Sequence, residues 1–359
     1  MPIDICRARL AGQFLTRNGP TTPAEVVQSL GAVQAQDYAG AKWALAQRVR
    51  GTTDAAVEAA IDAGEILRTH VLRPTWHFVA PADIRWMLAL TGDRVREKMA
   101  GSNCRLEIDR AFVRRSNAIF EKALAGGASL TRAELAAALR RARAGVVAGQ
   151  RLAHLVMAAE LDGVIISGPR RGKQFTYALL EERVPQATAL TKEEALHELG
   201  RRYFRTRGPA TPHDFAWWSG LTVADARRGI ASNADALERI SLGGTDYWMA
   251  ADPVPAFRGR SAHLLPNYDE YFIAHRDRRA IGARLGDISA VMGGSALLPN
   301  VIIVDGQLVG TWKRMGDANT MVVQLRPTAR LATAEKRHIA SAAMQFGRFH
   351  SASIEIRWI

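Results

Sequence analysis

Apolar positions recur at loosely helical spacing from Ile3 to Thr16, where Ile5, Ala8, Leu10 and Phe14 mark one face. Thr22-Pro23-Ala24-Glu25 opens a second helix, with Pro at the first helical position and an acid three residues after Thr22. That helix is expected to run through Val27 and Leu30 to about Val33, and a further one from Asp54 to about Ala63. The period then changes. Ile66 to Arg73 and Thr75 to Ala80 alternate around Pro74 and are rich in Thr, Val and Trp, which predicts a hairpin. Helices followed by a hairpin is the order of a winged helix.

The order recurs twice. Thr131-Arg-Ala-Glu134 starts a helix carrying Leu135 and Leu139, and a second helix follows from Gly149 to Asp162. Val164 to Gly168 and Lys173 to Leu179 then read as strands joined by a basic turn, Pro169-Arg170-Arg171-Gly172. A third copy opens at Thr191 with a helix to about Thr206; Thr211 and Thr222 cap two more, and Gly243-Gly244 joins a hairpin. After Pro253 the character shifts. Val301 to Trp312 holds an Asp305-Gly306 turn between apolar strands, and Met321–Leu325, a helix from Ala334 to Phe346 and Ser353–Trp358 follow. Residues 253–262 and 281–296 read as a linker or mobile loop. The expected fold class is α+β: three tandem winged-helix units and a small C-terminal β-barrel-like domain. Its blocks are 1–127 (winged helix 1 with a helical extension), 128–190, 191–252 and 253–359.

At about 150 residues per domain, 359 residues hold two or three compact units and need no staples. Lys plus Arg total 48 against 35 Asp plus Glu, a net +13, and 41 of the cations are Arg. An Arg fork grips phosphate in bidentate fashion, although a GC-rich genome also writes Arg freely. The excess is shared by the first, second and last blocks, as suits a folded surface lining nucleic acid rather than a basic tail; a generally solvated basic surface would look the same. Two cysteines give no disulfide framework. The start has no apolar signal core, and no run nears the ~18 residues of a membrane helix. Nine scattered histidines without HExxH, and no paired CxxC, argue against a zinc site. The chain reads as cytoplasmic, free of metal and cofactor, and not membrane-bound.

Four segments carry a resemblance: Leu30-Gly-Ala-Val-Gln34-Ala35-Gln36-Asp37, Arg73-Pro-Thr75-Trp-His77-Phe-Val79, Leu264-Leu-Pro266-Asn-Tyr-Asp269-Glu-Tyr271 and Val304-Asp-Gly306-Gln-Leu-Val-Gly310-Thr-Trp312. In order and over nearly the whole chain, they resemble the AlkZ-like winged-helix DNA glycosylases, the azinomycin-resistance type with its YcaQ relatives. The resemblance implies a channel for double-stranded DNA, bound by a monomer. It also implies hydrolysis of the N-glycosidic bond of alkylated purines, including unhooking of interstrand crosslinks. The family's Gln-aliphatic-Gln signature falls on Gln34, Ala35 and Gln36; Asp37 lies one place beyond the family's acid position and takes no role.

Residues two apart share a face on extended chain but lie about 200° apart on a helix, so a joint role for Gln34 and Gln36 requires the helix to end near Val33. A carboxamide cannot take up a proton; it can hold a water through its oxygen and donate through its NH₂. That suffices for a cationic N7- or N3-alkylpurine, already a good leaving group, and not for neutral lesions. Arg73, Thr75, His77, Arg170, Arg171 and Lys173 are the candidate DNA contacts. His77 reads equally as a half-buried satisfied histidine, Arg73 as a surface cation and the basic turn as solvated. Asp269 and Glu270 are expected to pair with Arg276 or Arg278, and Phe215, Trp217, Trp218 and Trp248 to lie in the core. The competing reading is a non-catalytic winged-helix regulator, which has no need of Gln-Ala-Gln.

Overall fold

The computed structural model describes residues 3–16, 19–145, 147–184, 186, 189–292, 298–316 and 321–359. The first stretch runs α1 (Ile5–Gly12), α2 (Pro23–Leu30), β1 (Ala32–Gln34), α3 (Tyr38–Ala46), α4 (Asp54–Asp62), β2 (Leu67–His70), β3 (Trp76–Val79) and the long α5 (Ile84–Arg105). The Thr22 capping box forms, its hydroxyl accepting from the Glu25 amide at 3.2 Å. The helix stops earlier than expected because Gly31 takes φ +78°, a left-handed turn that only glycine adopts freely. The freed chain becomes β1, a strand the helical pattern concealed. It pairs with β3, giving an antiparallel sheet in the order β1-β3-β2.

The second stretch holds α6 (Arg110–Leu124), β4 (Leu130–Thr131), α7 (Arg132–Arg141), α8 (Gly149–Leu161), β5 (Ile165–Ser167), β6 (Thr176–Leu179) and α9 (Leu180–Arg183). Phe112, Phe120 and Leu124 of α6 share one core with Leu135 and Leu139 of α7 and Leu152 and Leu155 of α8. The third holds α10 (Lys192–Arg207), α11 (Pro212–Ser219), α12 (Val223–Ala231) and a hairpin, β7 (Leu237–Leu242) with β8 (Thr245–Ala250). Thr191, Thr211 and Thr222 cap their helices as expected.

The last stretch departs from expectation. It comprises β9 (Ala262–Leu265), α13 (Glu270–Ile273), α14 (Arg279–Gly282), α15 (Ser289–Met292), β10 (Asn300–Val304), β11 (Gln307–Met315), β12 (Met321–Pro327), α16 (Thr333–Phe349) and β13 (Ile354–Trp358). The strands form an open sheet, β13-β12-β11-β10-β9, not a barrel. Closure would need the edge strands β9 and β13 to pair. Instead α16 crosses over, so β13 joins β12 in parallel, and Ile339, Ala343 and Phe346 of α16 are buried in a core with sheet residues Val323 and Leu325. Residues 253–261 carry no helix or strand, 281–292 include parts of α14 and α15, and 293–296 of the expected linker lie outside the described residues. Among the described residues no helix is long and apolar enough to cross a membrane.

The first sheet is buried on both faces. Val33, Ala35 and Phe78 join a core shared with β9–β12 and α16, while Ala32, Leu67 and Val79 join another with α5, α10 and α11. Trp43 of α3 packs its ring 5.1 Å from that of Phe346, and its Nε1–H donates to the Leu264 carbonyl at 2.7 Å. The two ends of the chain therefore share one interior. Trp43→Ala is expected to cost about 3–5 kcal/mol and to lower the urea midpoint of both ends together; two separate transitions would refute a shared core.

Candidate active site

β1 presents Gln34 directly opposite His77 of β3, with Thr69 of β2 beyond it in the same row. Val33 and Ala35 point the other way, into the core. The chain stays extended past Gln34, since the Ala35 amide donates to the Trp76 carbonyl at 2.7 Å. The helix ends at Leu30, and the chain is extended through Ala35 before it bends at Gln36. Gln34 is buried and Gln36 is exposed.

What holds β1 comes from far along the chain. Arg207 of α10 donates to the carbonyls of Leu30 (2.8 Å) and Ala32 (3.0 Å). It also donates to Glu270 Oε2 at 2.6 Å, with both side chains 0% exposed. Glu270 Oε1 accepts the Gln34 amide at 2.9 Å, and Oε2 also accepts Trp218 Nε1–H at 2.8 Å. The guanidinium lies 4.3 Å over the Trp218 ring. An edge strand's outward-facing backbone groups are thus satisfied by an ion pair rather than by another strand.

The side chain of Gln34 is fixed too. Arg73 Nη2 donates to its Oε1 at 2.9 Å, which leaves a second lone pair and the NH₂ for a ligand. Gln36 Oε1 lies 3.4 Å from the Trp76 amide, a loose contact that a substrate can displace. His77 Nδ1 lies 2.9 Å from the Thr75 carbonyl, which can only accept, so Nδ1 carries the proton. Its Nε2 is then a bare acceptor, buried and without a hydrogen-bond partner, as are the hydroxyls of Thr69 and Thr75. Burial, and next the Arg73 charge, hold the imidazole pKa well below 6.5 and keep the ring neutral.

The other expected contacts are placed unevenly. Arg170 turns inward: its amide donates to Asp62 at 2.7 Å, Nη1 to Glu58 at 3.3 Å, and its guanidinium lies 5.1 Å from the Tyr38 and Phe175 rings. Arg171 pairs with Glu134 at 2.8 Å but stays half exposed, and Lys173 is exposed. Asp269 and Glu270 pair with Arg48 (2.9 Å) and Arg207, not with Arg276 or Arg278, because both carboxylates are buried where only those two guanidinium groups reach them. Trp217 corrects the core reading of the aromatics. It is 46% exposed, because Phe215 and Trp218 take the inward i, i+3 positions of α11.

Arg207 and Glu270 were not singled out as a pair from the sequence. The available signal was a charge on an apolar stripe, Arg207 four residues after Tyr203, and an acid run set among Leu264, Leu265, Tyr271 and Phe272. Among the described residues no group of three or more His, Cys, Asp or Glu gathers to hold a metal ion.

A family model described as DNA glycosylase AlkZ-like matches residues 27–349. The chain belongs to the AlkZ-like DNA glycosylase family. It is 23% identical over 357 residues to an interstrand DNA cross-link repair glycosylase of Streptomyces sahachiroi, covering 93% of this chain and 94% of that one. The solved structure of the Streptomyces sahachiroi DNA glycosylase AlkZ has the same fold, with a TM-score of 0.81 at 20% identity over 99% of this chain and 98% of that one. In this AlkZ-like chain Gln34 ends the strand that the Arg207–Glu270 pair holds, and Gln36 lies two residues beyond it.

Two outcomes follow. Glu270→Ala strands a buried guanidinium and should cost about 3–5 kcal/mol in urea unfolding. The double change Arg207→Met/Glu270→Leu should recover much of that stability while base release stays impaired; full activity in the double variant would show that the pair does not hold the site. His77 and His275 are both buried with pKa values well below 6.5. The unfolded chain therefore binds more protons as pH falls through 6.5, and stability drops by about 1.4 kcal/mol per pH unit for each. His77→Gln and His275→Gln should each flatten the dependence of Tm on pH between 6.5 and 5; an unchanged slope would refute the assignment.

Proposed function

We propose that the chain is a monofunctional DNA glycosylase that hydrolyses the N-glycosidic bond of cationic N7- and N3-alkylpurines in duplex DNA, including the unhooking of interstrand crosslinks. The observation that carries the reading is the pair Gln34 and Gln36, two residues apart, with Gln34 held by Arg73 and by the buried Arg207–Glu270 pair. Pre-positioned dipoles act without reorganising at the moment of reaction, which is where such groups gain their effect. A water held by the two carboxamides adds its oxygen to C1′. The C1′–N bond breaks with its electrons passing to the purine, whose positive charge is thereby cancelled, and the water's proton leaves to solvent. Neither glutamine needs to titrate. A neutral His77 beside Gln34 adds no charge that would repel a cationic lesion, and its bare Nε2 can accept a hydrogen bond from a polarised water.

Helices followed by a hairpin in each of the first three blocks, 1–127, 128–190 and 191–252, support reading them as winged-helix units that line one duplex as a monomer. Arg171 and Lys173 are the wing cations with exposure enough to meet phosphate. Thr75 and His77, by contrast, serve the site from beneath.

The test is a duplex with a single N7-methylguanine, scored for abasic sites. Wild type should release the base, and Gln34→Ala/Gln36→Ala should slow release by about 10²–10³-fold with duplex affinity retained. A neutral lesion such as hypoxanthine should be a poor substrate. Tight binding without base release by wild type, on this duplex and on a crosslinked one, would leave the non-catalytic DNA-binding protein as the better account.

A further inference from the structure

The hydrolysis proposed above sheds a proton from water, and a carboxamide cannot take it. Three histidines border the glutamines. His77 lies opposite Gln34 in the first sheet, and His70 and His154 line a recess of about 450 Å³ together with Gln36 and Trp76. Two of the three have uncharged partners. His77 Nδ1 faces the Thr75 carbonyl and His154 Nδ1 lies 2.7 Å from the Asn103 amide oxygen, and burial holds both rings below the usual imidazole pKa.

His70 differs. Its Nδ1 faces Glu160 Oε2, with the two residues 3% and 1% exposed. Glu160 Oε1 has no hydrogen-bond partner, so among the described residues this carboxylate bonds to the imidazole alone. Leaving half of a buried carboxylate unsatisfied costs stability, and a mere tie between β2 and α8 has no use for it. A carboxylate on Nδ1 does what a neutral acceptor does not: it leaves Nε2 as the acceptor and steadies the imidazolium that forms there. Nε2 has no partner within the protein and opens on the recess. The position suits as well. His70 is the cross-strand neighbour of Trp76, with the rings 4.4 Å apart, and Trp76 is the residue whose amide meets Gln36 Oε1.

We propose that His70 is a further catalytic residue, whose Nε2 takes the proton of the water held by Gln34 and Gln36 while Glu160 holds its Nδ1. The water oxygen bonds to C1′, the C1′–N bond breaks with its electrons passing to the purine, and the proton rests on His70 beside Glu160 before it leaves through the recess to solvent. Arg68 of β2 and Tyr177 of β6 lie near Glu160, and His77 of β3, His154 of α8 and Arg105 of α5 lie on the side of His70. The β5 segment Ile165–Ser167 brings no ionisable group. Of all these neighbours only Glu160 favours the charged ring. The inference rests on the glycosylase reading above.

The experiment follows single-turnover release of N7-methylguanine from a duplex between about pH 5 and pH 8. At each pH the wild-type rate is divided by that of His70→Gln, so that any titration of the lesion cancels. The ratio should be about 10² near pH 8 and fall toward one near pH 5, where the ring is already charged and cannot accept. Glu160→Gln keeps an oxygen for Nδ1–H but loses the charge. It should slow release at neutral pH and move the acid limb of the profile to lower pH, and it serves as the second variant should His70→Gln fail to fold. A ratio that is the same at every pH would make the pair a structural tie, and a ratio of one throughout would send the proton straight to solvent. Either overturns the inference, as does an acid limb that Glu160→Gln leaves in place. Wild type that releases no base at any pH sinks the glycosylase reading and this inference with it.

Discussion

The buried pair between Arg207 and Glu270 is the constraint on which the site depends. A guanidinium and a carboxylate withdrawn from water carry a desolvation cost of several kcal/mol each, which their attraction offsets only with close geometry and fully used hydrogen bonds. Here the surplus donors and acceptors go to one place, the backbone of Leu30, Ala32 and Gln34, with Trp218 closing the remaining position. A hydrophobic pair could fill the same volume, but it could not hold a strand edge in register. The arrangement spends stability on position.

Around that pair, the first sheet works as the hub of the molecule. Its lower face is shared with the C-terminal sheet and its upper face with the second and third blocks, so the strand that ends in Gln34 is packed on both sides. The second block joins that upper core through Leu161, Ile166, Leu180 and Val184, and is fastened in addition through the turn that sequence reading gives to DNA. Arg68 lies 4.3 Å from the Trp76 ring and 4.6 Å from Phe175, and Arg170 adds a further cation over Tyr38 and Phe175. A turn built from cations beside an aromatic can bind phosphate or fasten two units. In Arg170 the second use prevails, because Glu58 and Asp62 are within reach on α4.

Much was legible locally. Caps at Thr22, Thr131, Thr191, Thr211 and Thr222 fall where their side chains allow, since a cap is a matter of four adjacent residues. The hairpins around Pro74, at Gly243-Gly244 and at Asp305-Gly306 were legible for the same reason. What escaped was set by distant pairing. Ala32-Val33-Gln34 continues a helical pattern, and only Gly31 hints that it is a strand. The segments of β10 to β13 were read as strands and that of β9 was not, and whether a sheet closes depends on which edge α16 leaves for β13. Gln34 and Gln36 were singled out through resemblance and a period argument; the Arg207–Glu270 pair that holds the backbone at Gln34 lies more than 170 residues away. The partners of Asp269 and Glu270 were misjudged because proximity in sequence favours Arg276 and Arg278, whereas burial selects Arg48 and Arg207.

The interior shared by Trp43 and Phe346 has a consequence for how the molecule is made. Ribosomes add residues at about 5–20 per second, so the segment with the glutamines emerges roughly 15–60 s before α16 does. Throughout that interval Trp43, Val33 and Ala35 lack the α16 wall that later covers them, and for most of it Glu270 has yet to be made. The strand that ends in Gln34 is among the earliest parts synthesised and among the last to be covered, so its apolar face stays exposed for most of synthesis.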